Sequence, residues 1–305
     1  MLTDFSSLPY GGKSYGGSDT KRSVLFADGS RWLIKLADVN DGNELPPNKA
    51  RISNAPVSEH IACRVIRSIG LEAQETILGT WDGHPAVACK DFMPDGNWDL
   101  HEFVWFLNHQ YPNAYNIRVM PWEYVRNTLD NNKILAPIRE PAWERFYDTF
   151  VIDALIGNFD RHKNNFGYLY NRDSNSIMCA PVYDCGSSLF PALSDEGIKA
   201  VISDPSAMEE RVHVFPKAAL SKTDNLRKPD KFGYLEFLTT VDDPRIKDSL
   251  SFVLDSFNQD LIDDIINTTP NISDVRKEFY SAMIKMRKEL ILERAFVEIN
   301  NSPGL

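Results

Sequence analysis

"IGNFDRHKNNFGYLY", residues 156–170, decides how the chain is read. A polar island of Asp160, Arg161, His162, Asn164 and Asn165 stands between an apolar run with helical spacing and a run of strand-like composition. Upstream, Trp143, Phe146, Tyr147, Phe150, Val151, Ala154 and Leu155 keep one apolar stripe, which predicts a helix over 139–156. Downstream, "FGYLYN" and "IMCAPVYDCGSS" predict a strand pair around the turn "NRDSNS". Polar loops held between core elements carry chemistry disproportionately. Whether this one does depends on what the rest of the chain supplies.

Outward from that loop the pattern changes once. Residues 11–21, "GGKSYGGSDTK", form a Gly/Ser-rich loop. "RSVLF" and "RWLIKLAD" flank Asp28-Gly29 and predict a hairpin, with Trp32, Ile34 and Leu36 on one face and Leu33 and Lys35 on the other. After a Pro/Asn-rich loop over 38–56, "SEHIACRVIRSIG" predicts a helix with Ser58 as N-cap, Gly70 as stop signal and Ile61, Val65 and Ile69 as its stripe. "AQETILGT" and "PAVACKDFM" predict two more strands. From residue 96 onward helices dominate: "DLHEFVWFLNHQ", "PWEYVRNTLD", "PRIKDSLSFVLDSF", "QDLIDDIINTTP" and a long helix over 273–299. Residues 190–240 show weak periodicity and several loops. The expectation is an α+β chain, with a β-rich N-lobe over 1–95 and a larger, mainly helical C-lobe over 96–305.

With 33 basic and 43 acidic residues among 305, the net charge is −10, which argues against an overall nucleic-acid footprint. The segment 215–231, "FPKAALSKTDNLRKPDK", is locally basic and reads either as a solvated loop or as a dock for an acidic partner or nucleic acid. Cys63, Cys89, Cys179 and Cys185 form no CxxC pair and read as thiols of a reducing compartment rather than a disulfide framework or zinc site. "MLTDFSSLPYGG" has neither a basic n-region nor an apolar h-region. No apolar run approaches the roughly 18–20 residues that span a bilayer. A cytoplasmic protein with no membrane association is expected; secretion by a signal-independent route would leave no mark of this kind.

Four features, in order, fit phosphoryl transfer from a nucleotide. Gly11, Gly12, Gly16 and Gly17 let backbone N–H groups approach phosphate oxygens, although such loops are more often plain turns. Lys35, on the following strand, can neutralise phosphate charge, and considered alone is as well read as an exposed strand lysine. Glu59, early in the next helix, can hold that lysine, and considered alone only favours the helix dipole. Asp160 and Asn165 stand in D-x4-N spacing with Asp184 24 residues after Asp160, the arrangement of a proton acceptor and two metal-binding oxygens. Few hard oxygen donors beside phosphates suit Mg2+. Each feature is weak singly; the ordered set is specific.

"GGSDTK", "SEHIACRVIRSIGLEAQETILGT", "VACKDFM", "LIGNFDRHKNNFGYL" and "APVYDCGSSLFP" resemble the HipA-like serine/threonine kinases, nearest to the compact branch typified by CtkA, over residues 14–195. The resemblance implies a two-lobed protein-kinase-like (HipA/phosphoinositide-kinase-like) fold that binds ATP with Mg2+ in the interlobe cleft. It implies Gly16, Gly17, Ser18 and Lys21 as the phosphate loop, Lys35 as the nucleotide-binding strand lysine and Glu59 as its partner. Lys90 to Met93, Phe92 among them, fall at the adenine-binding hinge. Asp160 matches the catalytic Asp, Asn165 and Asp184 the metal ligands, and His162 a loop-ordering residue. Autophosphorylation at Ser14, Ser18 or Thr20 would expel ATP phosphates. The larger HipA proteins carry an extra N-terminal subdomain, whereas some ten residues precede the glycine loop here. The expected partners are therefore a protein substrate and either an antitoxin or a host target, with no direct nucleic-acid binding. Two other readings use the same residues: a small-molecule or lipid kinase, and a nucleotide-binding toxin or interaction module.

Overall fold

The structure is a computed structural model and describes residues 2–12, 21–40, 45–94 and 97–301. Two compact units divide the chain. The first takes the stretch up to Phe92 together with Cys185–Met208 and Asn258–Met283; the second takes Met93–Asp184, Glu209–Phe257 and the stretch from Ile284. The first crossing lies three residues before the expected lobe boundary, while the two later returns to the first unit had no counterpart in the sequence reading.

The first unit is built on a five-stranded sheet of β1 (Thr3–Asp4), β2 (Lys21–Leu25), β3 (Arg31–Leu36), β4 (Thr76–Trp81) and β5 (His84–Lys90), in the order β1-β4-β5-β3-β2. Only the β1–β4 pair is parallel. Side chains alternate across the strands as expected from the hairpin. Trp32 and Ile34 join Phe5, Val24, Ala86 and Ala88 in one apolar layer, and Leu33 joins Val87 and Cys89 in the other.

Helix α1 (Ala55–Ser68) packs against β4 and β5. It starts four residues earlier than expected, with Asn54 rather than Ser58 at the N-cap position, because Pro56 supplies the fixed φ of a first helical turn. Ser58 is therefore not the N-cap but a buried residue inside the helix. Ile61, Val65 and Ile69 form the buried stripe, and Gly70, at φ +95°, ends the helix where other residues would be strained.

In the second unit, "DLHEFVWFLNHQ" is only half helix. Residues Trp98–Glu102 form strand β6, and α2 (Phe103–Gln110) begins only after Glu102. The pairing that makes β6 a strand comes from β8 (Gly167–Asn171), far away in sequence, and β9 (Ser176–Cys179) completes the sheet β6-β8-β9. A short parallel pair joins β7 (Met120–Pro121) to β10 (Leu220–Ser221). Between these strands lie α3 (Trp122–Asn131) and α4 (Arg139–Ile156), the latter with the span expected from its stripe. Helix α4 is buried on nearly every face from Ala142 onward, and its aromatic residues stack with Trp122 and Phe237.

The weakly periodic region holds α5 (Asp195–Ile202), α6 (Pro205–His213) and α7 (Tyr234–Thr240). Helices α8 (Pro244–Ser256) and α9 (Gln259–Thr268) follow, capped by the Asp243 and Asn258 side chains. The expected long C-terminal helix is α10 (Asp274–Arg287) and α11 (Arg294–Asn301), joined by a π-helical stretch over Lys288–Glu293.

Candidate active site

On the sheet of the first unit, β2 and β3 pair so that Lys21 lies directly opposite Lys35. Directly opposed residues share a face and come within side-chain reach, where like charges repel. Lys35 Nζ lies 3.2 Å from Glu59 Oε2, and Glu59 is only 1% exposed. Its second oxygen, Oε1, is buried without a hydrogen-bond partner among the described residues. A carboxylate so placed holds the lysine stem extended from β3 toward α1. Gly186 approaches the same carboxylate closely; a Cβ there would stand 3.2 Å from Glu59 Oε2 and 3.5 Å from the Ala55 carbonyl. Cys63, buried in α1, is held well above the ordinary thiol range, first by its hydrogen bond with Cys185 and then by burial. These cysteines form no disulfide.

Of the glycine loop, Gly11 lies against β2, its N–H donating to the Ser23 carbonyl at 2.9 Å, where a Cβ would meet Ser23 Oγ at 2.3 Å. Gly16, Gly17 and Ser18, with Ser14 and Thr20, lie outside the described residues. At the expected hinge, both backbone groups of Lys90 are engaged. Its N–H donates to the Glu75 carbonyl at 2.8 Å, and its carbonyl accepts from Gln74 Nε2 at 2.9 Å. Its ammonium pairs with Glu75 at 3.0 Å.

In the second unit the opening stretch is a loop set at the C-terminal end of α4. Gly157, at φ +65°, turns the chain out of the helix. Asn158 then folds back: its N–H and its Nδ2 both reach Asp153, at 3.0 and 2.9 Å, and its Oδ1 accepts from the Asp160 N–H at 3.2 Å. Tyr234 donates its hydroxyl to the Asn158 carbonyl. Beneath this turn, buried Arg287 donates to the Ala154 carbonyl at 2.6 Å and to the Arg211 carbonyl at 2.9 Å. Burial pushes its guanidinium down to about 10. A cation there complements the negative end of α4.

Arg161 fastens the loop. Its Nε and Nη2 make a two-point contact with Asp153, at 2.8 and 3.0 Å, inside the fold. Its Nη1 donates to the Asn165 carbonyl at 2.7 Å and to the Tyr183 carbonyl, so one guanidinium joins the loop to the residue before Asp184. Lys163 is spent on the Ile117 carbonyl at 2.7 Å, and burial lowers its pKa. The first two N–H groups of α2 donate to the Phe166 and Lys163 carbonyls, each at 2.9 Å, which satisfies helix donors that otherwise lack partners.

Three oxygen-bearing side chains stand on this frame. Asn165 is 7% exposed, and its Nδ2 donates to the Asp160 carbonyl at 2.8 Å. That bond fixes the amide orientation and leaves Oδ1 as the atom available to a cation. Asp184 holds φ at +57°, an uncommon conformation for a residue with a side chain and one that concentrates at functional sites. Asp160 is half exposed, and its carboxyl titrates above the ordinary range. Desolvation is the main cause and Asp184 adds to it, while His162, Lys231 and Arg161 pull the other way. His162 lies 4.0 Å from Asp160 and accepts the Asn164 N–H at 3.2 Å, which orders the loop.

No group of three or more His, Cys, Asp or Glu side chains gathers in metal-holding geometry among the described residues. An amide oxygen and a carboxylate are a sparse, hard donor set, which fits Mg2+ retaining water and phosphate oxygens rather than zinc. The residues that sequence reasoning missed are those that build the loop: Asp153, Asn158, Tyr234 and Arg287. The available signal was Asp153 itself, an acid within the apolar run "FVIDALIG".

The family model for the HipA-like C-terminal domain matches residues 13–233. The chain belongs to the HipA-like family. A HipA-like relative, the serine/threonine-protein kinase CtkA of Helicobacter pylori, is 31% identical over 283 residues, covering 93% of this chain and 84% of that protein. The crystal structure of the H. pylori proinflammatory kinase CtkA matches with a TM-score of 0.85 at 29% identity, covering 99% of this chain and all of that one. HipA from the Shewanella oneidensis toxin–antitoxin system, solved with HipB and operator DNA, matches with a TM-score of 0.55 at 12% identity over 97% of this chain and 70% of that one, a likeness of fold alone. The HipA-like, kinase-type α+β fold expected from the sequence, with a small β-sheet lobe and a helical lobe, is thus the fold of this chain.

Proposed function

We propose that the chain is an ATP-dependent kinase that transfers the γ-phosphoryl group to a serine or threonine hydroxyl of a protein. The observation that carries this reading is the loop in which Asp160, Asn165 and the backbone leading to Asp184 are tied together through Arg161. Asp160 takes or orients the hydroxyl proton of the acceptor. Its raised pKa makes it a better base than an ordinary carboxylate. Asn165, through Oδ1, and Asp184 would hold Mg2+, which supplies charge neutralisation to the phosphates.

In the first unit, Lys21 and Lys35 form an opposed pair of ammonium groups suited to phosphate oxygens, and Glu59 keeps Lys35 in place. Gly16, Gly17 and Ser18 complete the phosphate loop in this proposal. Recognition of adenine is assigned to the hinge over Lys90 to Met93, Phe92 included, at the end of β5. Residues 1–95 and 96–305 are the functional lobes in this reading. The protein acceptor, a partner of antitoxin type or a host target, and a cytoplasmic or secreted location belong to the same proposal. No helix among the described residues is long and apolar enough to cross a membrane.

The test is ATP consumption by purified Asp160→Ala and Asp184→Ala, with circular dichroism to verify folding. Loss of a positioned base is expected to lower turnover by about 10²–10⁴-fold. Undiminished turnover in folded Asp160→Ala overturns the assignment.

A further inference from the structure

The ATP chemistry leaves one part of the second unit without a task. From Phe215 to Lys231 the chain carries Lys217, Lys222, Arg227, Lys228 and Lys231 against Asp224 and Asp230, within a protein of net charge −10. This segment meets the catalytic loop at both ends. At one end the Phe215 ring lies 5.3 Å from that of Phe159, the residue before Asp160. Phe215 and its neighbour Val214 nevertheless stay 49% and 55% exposed, so two large apolar side chains face solvent beside the reacting carboxylate. At the other end Lys231 lies within electrostatic range of Asp160.

Between these ends the chain makes a closed loop. Lys231 bridges to Ser221, and the Lys222 N–H donates to the Asp230 carbonyl at 2.8 Å. Asn225 Oδ1 accepts the N–H groups of both Arg227 and Lys228, each at 3.2 Å, a local turn that orders the tip. Lys222 is already paired with Asp230 and Glu236. Arg227 and Lys228 are exposed and make no ion pair among the described residues. An ordered loop that pairs Asp230 with Lys222 and leaves Lys217, Arg227 and Lys228 exposed against the one remaining acid of the segment, Asp224, is complementary to an anionic partner.

We propose that residues 214–231 are the acceptor-docking surface, and that they select a serine or threonine lying in an acidic polypeptide segment with a large apolar residue beside it. The apolar residue seats on Val214 and Phe215, and the acidic residues meet Arg227 and Lys228. The inference rests on the kinase reading for the identity of the reacting hydroxyl. The apolar ledge favours a polypeptide over a nucleic acid, whose backbone contacts make no use of it.

Three synthetic peptides with a common serine–phenylalanine core, flanked by glutamates, glutamines or lysines, test it. The expected order of kcat/KM is glutamate, glutamine, lysine, with about tenfold or more between the extremes and a steep loss in high salt. Arg227→Glu with Lys228→Glu is expected to abolish the preference while leaving peptide-independent ATP consumption unchanged. Phe215→Ser is expected to remove the advantage of phenylalanine over glycine in the core. Equal kcat/KM for the three peptides, or an order the charge reversal does not alter, overturns the proposal. Fluorescence anisotropy of the same labelled peptides reads docking without turnover. Selective binding with no phosphate transferred supports the surface and counts against the kinase reading alone. Duplex DNA that displaces the glutamate peptide at matched charge and salt, and is itself lost on charge reversal, would identify a nucleic-acid surface and overturn the proposal.

Discussion

Asp160 binds its proton more tightly than an ordinary aspartate because it is partly withdrawn from water and sits near Asp184. A base works only when deprotonated, so activity is expected to fall as pH drops through this raised pKa, at a higher pH than an unperturbed aspartate would set. His162, Lys231 and Arg161 oppose the shift. Removing the Lys231 charge therefore raises the Asp160 pKa further. For Lys231→Met the acid limb of the kcat/KM profile for ATP should move to higher pH; a limb that stays in place or moves down contradicts the assignment of that limb to Asp160. Asp160, Asn165, Asp184, Lys35 and Glu59 were legible at this scale because each is a polar residue at a definite offset from an apolar pattern. Asp153 was not legible: one acid in a helix does not reveal that it faces inward until Arg161 folds back onto it.

The catalytic loop behaves as an element because a buried ion pair fixes it at α4. Arg161→Met leaves Asp153 charged within the fold, with only Asn158 to answer it. Breaking one side of such a pair costs about 3–5 kcal/mol. Urea unfolding should show a loss of that size, and Asp153→Leu combined with Arg161→Met should recover a substantial part of it, since no unpaired charge then remains. If the double variant is no better than the single one, the cost lies in the Tyr183 and Asn165 carbonyl contacts instead. On the first unit, Gly186→Ala places a methyl group 3.2 Å from Glu59 Oε2. The carboxylate must shift, and Lys35 with it, so kcat/KM for ATP is expected to drop by about tenfold, the change that a misplacement costing about 1.4 kcal/mol would give. Serine at 186 should behave like alanine if the methyl group is responsible. Local pattern sufficed for α1, α4 and the hairpin, whose periodicity is their own. It failed at β6, which is a strand only because β8 pairs with it, and at the start of α1, where Pro56 outweighed Ser58.

Across the whole molecule, the proposed nucleotide residues Lys21 and Lys35, with Glu59, belong to the first unit, and Asp160, Asn165 and Asp184 to the second. The sequence order suggested a single change of lobe. The returns of Cys185–Met208 and Asn258–Met283 to the first unit follow from helix packing such as that of α9 against α1, which no local pattern carries. In the proposed reading each unit contributes separately to nucleotide binding. A ligand that binds only the folded state at a hundredfold excess over its Kd adds about 2.7 kcal/mol. With an unfolding entropy of about 2.1 cal/mol/K per residue over 305 residues, that raises the apparent Tm by about 4 °C. With Mg2+ present, ATP should produce a shift of this order in the unaltered protein, and chelation of Mg2+ should reduce it. Asp184→Ala should retain the smaller shift and lose its dependence on Mg2+, because Lys21 and Lys35 still meet the phosphates. Lys35→Met should lose most of the shift whether or not Mg2+ is present, because the opposed ammonium pair is gone and Glu59 is left without its cation. A shift in Asp184→Ala that still responds to Mg2+ would place the cation on other residues, and a full shift in Lys35→Met would remove that lysine from the nucleotide site.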